Sequence, residues 1–162
     1  MRSWEIKDVK KFMALLLGGE NFDSFLLSEA SVNASMTMNF DGRLKMGYYS
    51  DEELEKRMEE GPCIAYSDVR HIFLECIKGK NTPRSFRFIF RAPDQANRKY
   101  EKDLELTEND IDGMFLNITF ENGKLLITAA VSQKTFTMDK SLENRWCDNV
   151  QKFLVNCGID WV

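Results

Sequence analysis

Histidine is almost missing from this chain, with one in 162 residues, and proline and cysteine are scarce at three and four. One histidine cannot make a paired-histidine metal centre. A Ser-His-Asp triad would rest wholly on His71, which reads as a surface or boundary residue of an amphipathic helix. Cys63, Cys76, Cys147 and Cys157 lack the close pairing that aims two thiolates at one ion. Reduced structural cysteines are expected, with Cys76 and Cys147 on apolar helix faces, and neither a metal nor a cofactor is. There is no glycine-rich phosphate loop and no G-x-S-x-G elbow. No stretch approaches the roughly 18–20 apolar residues of a membrane span, and the apolar run at residues 12–17 is too short for a signal segment. A cytoplasmic protein without membrane contact is the expectation, which makes the Asn-x-Ser/Thr matches at Asn33 and Asn117 accidental.

What is present is a core. Hydrophobic residues make up 43% of the chain and charged residues 30%, with twelve phenylalanines and a net charge of −4. Disordered acidic chains lack such aromatics, and a chain of this length buries roughly 68–70% of its unfolded surface without disulfides or metal. The acidic balance argues against a generally cationic coat, though not against a local basic patch. One domain over residues 1–162 is expected.

Ile6, Val9, Phe12, Met13, Leu16 and Leu17 recur at the spacing of one helix face, and Gly18-Gly19 stops the run. Residues 26–40 alternate instead, with Leu26, Ala30, Val32, Met36, Met38 and Phe40 on the apolar side, as in one long strand or two collinear ones. Asp41-Gly42 predicts a hairpin. A three-residue loop, Phe40-Asp41-Gly42 with Gly42 left-handed, pairs Met38 with Leu44 and Met36 with Met46. Ser50-x-x-Glu53 is a capping box for an acidic surface helix ending at Gly61-Pro62. Ser67 or Asp68 caps the next helix, which turns Val69, Ile72, Phe73, Cys76 and Ile77 inward. A strand follows with Phe86, Phe88 and Phe90 on its inner side. Residues 93–112 read as a hydrophilic connection with a helical turn or two and a short helix capped by Thr107.

Asn122-Gly123 signals a type I′ turn, and its register sets Phe120 against Leu125, Ile118 against Ile127, Leu116 against Ala129 and Met114 against Val131. A further strand is expected near residues 134–138. The last helix runs from about Asp139, with Leu142, Trp146, Val150, Phe153, Leu154 and Cys157 inward and Gly158 at its end. The class is α+β: a mainly antiparallel sheet built from hairpins, packed against N-terminal, central and C-terminal helices.

The uneven feature is basic. Lys78, Lys80, Arg84, Arg87, Arg91, Arg98, Lys99 and Lys102 crowd residues 78–102 against only Asp94 and Glu101. Arg87 and Arg91 alternate to one side of their strand, with Lys80 and Arg84 in the loop before it, so these four are the candidate contacts for an anion or nucleic acid. No aromatic shares that face, whereas single-strand binders use exposed stacking rings. The acidic helix 51–60 offers to neutralise the stripe within the fold or across a dimer. Glu29, Asp110 and Asp112 read as solvated surface charge. Trp161, beyond the last helix, either docks on the domain or anchors a partner.

The segments FLLSEAS (residues 25–31), DGRL (41–44), YSDEEL (49–54), IKGKNTPRSFRF (77–88), LNITFENG (116–123) and FTMDKSLENRW (136–146) resemble an uncharacterised family, a domain of unknown function found in anaerobic Clostridia. The resemblance implies a single cytosolic bacterial domain and no particular activity. The opening order of short strand, helix and long antiparallel strands is also similar, at the level of fold, to half of a sliding-clamp domain. The functional expectation is a small non-enzymatic binding or protein-interaction domain, acting on an unidentified protein partner or a second copy. The alternatives are a nucleic-acid-associated protein using the basic segment, and an enzyme on an anionic small molecule.

Overall fold

In the computed structural model, which describes residues 1–162, the chain runs β1 (Arg2–Glu5), α1 (Val9–Gly18), β2 (Leu26–Asn33), β3 (Thr37–Asp41), α2 (Asp51–Met58), β4 (Ile64–Ala65), α3 (Tyr66–Ile77), β5 (Ser85–Arg91), α4 (Asp94–Asp103), β6 (Ile111–Glu121), β7 (Lys124–Gln133) and α5 (Ser141–Asn156). The strands form one antiparallel sheet in the order β1-β7-β6-β5-β2-β3, with β4 beside the start of β2. The fold is α+β.

Alternation along β5 sends Phe86, Phe88 and Phe90 to one side of the sheet, where they meet Phe22, Phe25, Tyr66, Phe73 and Phe120. Matching positions on the neighbouring strands join them: Leu116 and Ile118 on β6, Leu125, Ile127 and Ala129 on β7, Ala30 and Val32 on β2, Trp4 on β1, all buried. Helices α1, α3 and α5 close over this face with Phe12, Leu16, Phe73, Val150 and Leu154. Helix α4 lies beside α5, its Tyr100 ring edge-on to Trp146. The opposite face carries Ser3, Glu29, Arg87, Asn117, Thr119 and Leu126 outward.

Several local expectations hold. Ser50 Oγ accepts from the Glu53 amide at 3.2 Å, capping α2. The Asn122-Gly123 turn has φ of 53° and 76°, and every residue pair foreseen across β6 and β7 is present. The last residues also pair: Ile6 bridges Trp161, and the Val162 amide donates to the Glu5 carbonyl at 2.8 Å, covering the outer edge of β1.

Other expectations are corrected. The hairpin lies at residues 34–36, not at Asp41-Gly42, so residues 26–40 fold back as β2 and β3, with Asn33 opposite Thr37 and Ala30 opposite Phe40. Met36 and Met46 do not pair and are exposed. Gly42 serves close approach rather than a turn: a Cβ there would stand 1.9 Å from the Leu27 carbonyl oxygen. Its own amide donates to Ser28 O at 2.9 Å. A bulge between Leu27 and Glu29 puts Leu27 and Ala30, three residues apart, on the same inner face opposite Phe90 and Phe88, which strict alternation forbids, while Leu26 is buried on the other side beside Gly61.

Helix α3 begins at Tyr66, before Ser67 and Asp68, because the fully buried Tyr66 hydroxyl donates to Leu16 O at 2.9 Å and ties the helix start to α1. The connection 93–112 contains the ten-residue helix α4, with no helix after Thr107. No strand forms at residues 134–138: β7 already extends to Gln133, and Phe136 and Met138 are exposed.

Phe88 has no solvent exposure and sits against Tyr66, Phe73, Phe86 and Phe90. Phe88→Ala is expected to lower unfolding free energy by about 3–5 kcal/mol. Tyr66→Phe, which leaves Leu16 O without its donor, should cost about 1–3 kcal/mol. Urea denaturation of both variants checks the ranking, and equal losses would deny the central place of the β5 rings.

Candidate functional site

The basic stripe is split by the fold. Arg87 and Arg91 do share the outer sheet face, opposite the phenylalanines, but neither stands free. Arg87 pairs with Glu29 across the β2–β5 register, 2.9 Å apart, both side chains about half exposed. Arg91 is largely covered: it donates to the Asp112 carbonyl, lies 3.4 Å from Asp94 and stacks over the Phe115 ring at 5.7 Å. Within one chain no acid of α2 pairs with the stripe: the one in an ion pair, Glu53, is held by Arg57 of the same helix, which also takes Asp68 of α3. Lys80 and Arg84 lie elsewhere, exposed and without an acidic partner in the loop between α3 and β5, where the Arg84 amide donates to Asn33 O at 2.8 Å. Trp161 is half-buried against the core beside its backbone bridge to Ile6. His71 is exposed on α3, and all four cysteines are free.

Beneath the Lys80 loop is a feature that sequence patterns do not announce. An open groove of about 460 Å3 runs between α1, the end of α3 and the ends of β5 and β6. Its walls are Val9 and Met13 from α1, Ile77 from α3 and Pro83 from the loop, and its floor is Phe86 and Phe120. These two rings stack at 5.1 Å, 18° from parallel, because they are register partners at the edge of the helix-covered face. Lys10 and Lys78 are its only charged lining residues. Grooves of this volume, apolar with a few polar groups at the rim, are the common form of ligand and peptide sites. Val9, Met13, Ile77, Phe86 and Phe120 read in the sequence as one helix or strand face turned to the core, and periodicity does not tell where a groove opens beside that core.

Two carboxylates are more buried than their sequence setting suggests. Asp110, expected in solvent, is 8% exposed and accepts from Gln133 Nε2 at 3.0 Å and the Thr135 amide at 3.2 Å. The Gln133 bond first, then Thr135, hold its carboxyl below the usual carboxylate range. Glu101, on α4, accepts from the Asn109 and Ile111 amides at 3.1 and 2.9 Å and pairs with Arg98. Both acids spend their lone pairs on backbone and side-chain donors that fasten the entry to β6. Burial raises the Cys63 thiol, which is the wrong direction for a nucleophile. No three His, Cys, Asp or Glu side chains converge to hold a metal ion.

Residues 15–162 match a family of unknown function, DUF5721. The chain belongs to that family. The match begins within α1, so the family's shared region holds Ile77, Lys78, Pro83, Phe86 and Phe120 of the groove, while Val9, Lys10 and Met13 lie before it. No curated protein and no solved structure matches the chain. No helix is long and apolar enough to cross a membrane.

Asp110 supplies a pH test. Because its folded value lies below that of an unfolded aspartate, near 3.9, its contribution to stability is present above about pH 4 and fades as pH falls through the folded value. The melting temperature of the parent should exceed that of Asp110→Asn at neutral pH, and the gap should close on acidification. A gap independent of pH would mean the carboxylate charge is not what is bound.

Proposed function

We propose that this protein is a non-enzymatic interaction domain whose docking site is the apolar groove between α1 and the loop joining α3 to β5. The observation that carries the reading is the stacked Phe86–Phe120 floor, walled by Val9, Met13, Ile77 and Pro83 and bordered by Lys10 and Lys78. Aromatic floors with a charged rim are the usual anatomy of a partner-binding patch. Three of the carboxylates that the fold brings beside other polar groups already have partners: Asp110 and Glu101 fasten loops, and Glu29 pairs with Arg87. The reading includes a cytoplasmic setting, in keeping with free cysteines, and a bacterial, clostridial source of the kind the sequence resemblance implies.

The test is a photo-crosslinking amino acid placed in living cells at Met13 or Thr82, beside the groove, and as a control at Leu126 on the outer sheet face. Discrete crosslinked proteins from the two groove positions and none from Leu126 are expected. Equal products from all three, or none from the groove, would sink the reading.

A second reading, contact with nucleic acid, draws support from Lys80 and Arg84, whose charges are unpaired. Fluorescence anisotropy of labelled single-stranded DNA at low salt would then weaken in Lys80→Ala/Arg84→Ala and hold in Arg87→Ala, with a flatter salt dependence in the former. Absence of binding at low salt would remove it.

A further inference from the structure

The groove's rim is cationic, and the same chain carries its complement. Lys10 enters no ion pair, and neither do Lys7 and Lys80 nearby, while Lys78 stands 2.7 Å from Glu75 of α3. On α2 and the residues after it, Asp51, Glu52, Glu55, Glu59 and Glu60 are exposed and likewise in no ion pair, since the only α2 acid so engaged is Glu53. This acidic segment also presents apolar side chains: Met58 is 47% exposed, and Met46 and Tyr48 just before the helix are 88% and 80% exposed. An acidic surface with protruding apolar groups thus coexists with an apolar groove with a basic rim.

One copy cannot join the two. The groove opens at Phe86, near the start of β5, whereas α2 is fastened at the other end of that strand: the Asp94 amide donates to Glu60 O at 2.8 Å, three residues beyond Arg91. A strand of seven residues separates the sites by roughly 20 Å. We infer that the α2 segment of one copy docks on the Phe86–Phe120 groove of a second copy, so that the protein associates head to tail. The two surfaces differ, so the contact is heterologous, and each copy that is bound still offers one free groove or one free acidic helix. Growth continues until a ring closes or the supply of copies runs out. The inference rests on the groove being the docking site and names its occupant.

Sedimentation velocity of the full chain tests it. At roughly 20 mM salt the weight-average sedimentation coefficient should climb with concentration beyond the dimer value. At roughly 500 mM, where the screening length falls to about 5 Å or less, a single monomer boundary should remain. Lys10→Glu/Lys78→Glu and Glu55→Lys/Glu59→Lys, all at exposed positions, should each stay monomeric at low salt with unchanged circular dichroism and melting. Mixed in equal amounts, they should associate again, because the parent helix of one meets the parent groove of the other and the reversed helix meets the reversed rim. A monomer at every concentration in low salt overturns the inference, as does association that persists in either variant or a mixture that fails to pair. A monomeric parent that still crosslinks other proteins through Met13 and Thr82 refutes this occupant while leaving the docking site standing; a monomer with no groove crosslinks refutes both.

Discussion

The alternating phenylalanines of β5 are the constraint around which the other elements are arranged. Three large rings on one side of a central strand need cover from above and from both neighbours. The cover comes from distant parts of the chain: Phe22 and Phe25 before β2, Tyr66 and Phe73 on α3, Phe120 on β6. Because β5 contributes Phe86 close to its beginning, the aromatic row runs out to the margin of the helical layer. Core and groove are therefore continuous at this last step, where Phe86 and Phe120 remain only 4% and 8% exposed beside the partly buried Val9 and Met13. Whatever occupies that step gains contact with rings already held rigid by stacking, at small cost in side-chain entropy.

The outer face shows how charge is handled on an uncovered sheet. Arg87 and Glu29 meet diagonally across neighbouring strands, a pairing worth a few tenths of a kcal/mol to about 1 kcal/mol at such exposure. Arg91, by contrast, is drawn down over Phe115 and onto the Asp112 carbonyl. Two arginines that alternation places side by side thus have different duties, one at the surface and one as a clasp between the ends of β5 and β6.

Much of the architecture can be read in the residues, and the misreadings share a cause. The β6–β7 register follows from Asn122-Gly123 because a two-residue turn leaves no freedom in pairing, and the α2 cap follows from Ser50 and Glu53 because both partners are local. Where the deciding contact is distant, local pattern misleads. Asp41-Gly42 resembles a turn, yet Gly42 is small because the backbone of β2 passes against it. The hydrophilic stretch after Pro93 folds as a helix because Asn97, Tyr100 and Glu101 find burial against β6 and α5, which composition does not reveal. The four basic candidates divide in the same way: alternation puts Arg87 and Arg91 on one face, but only the fold separates them from Lys80 and Arg84 and places an apolar groove beneath the latter pair's loop.

The pairing of β1 with β7, sealed outside by the bridge from Ile6 to Trp161, has a consequence for how the molecule comes into being. Ser3 and its partner Thr128 are separated by 125 residues. At 5–20 residues per second, the partner emerges from the ribosome about 6–25 s after Ser3 does. Through that interval Trp4, destined to lie against Ile127, has no strand to join, and the sheet can grow only from its β2–β5 side inward. The nascent chain must keep Trp4 without its partner until β7 has been made, and Trp161 and Val162 then cover β1 from the outside.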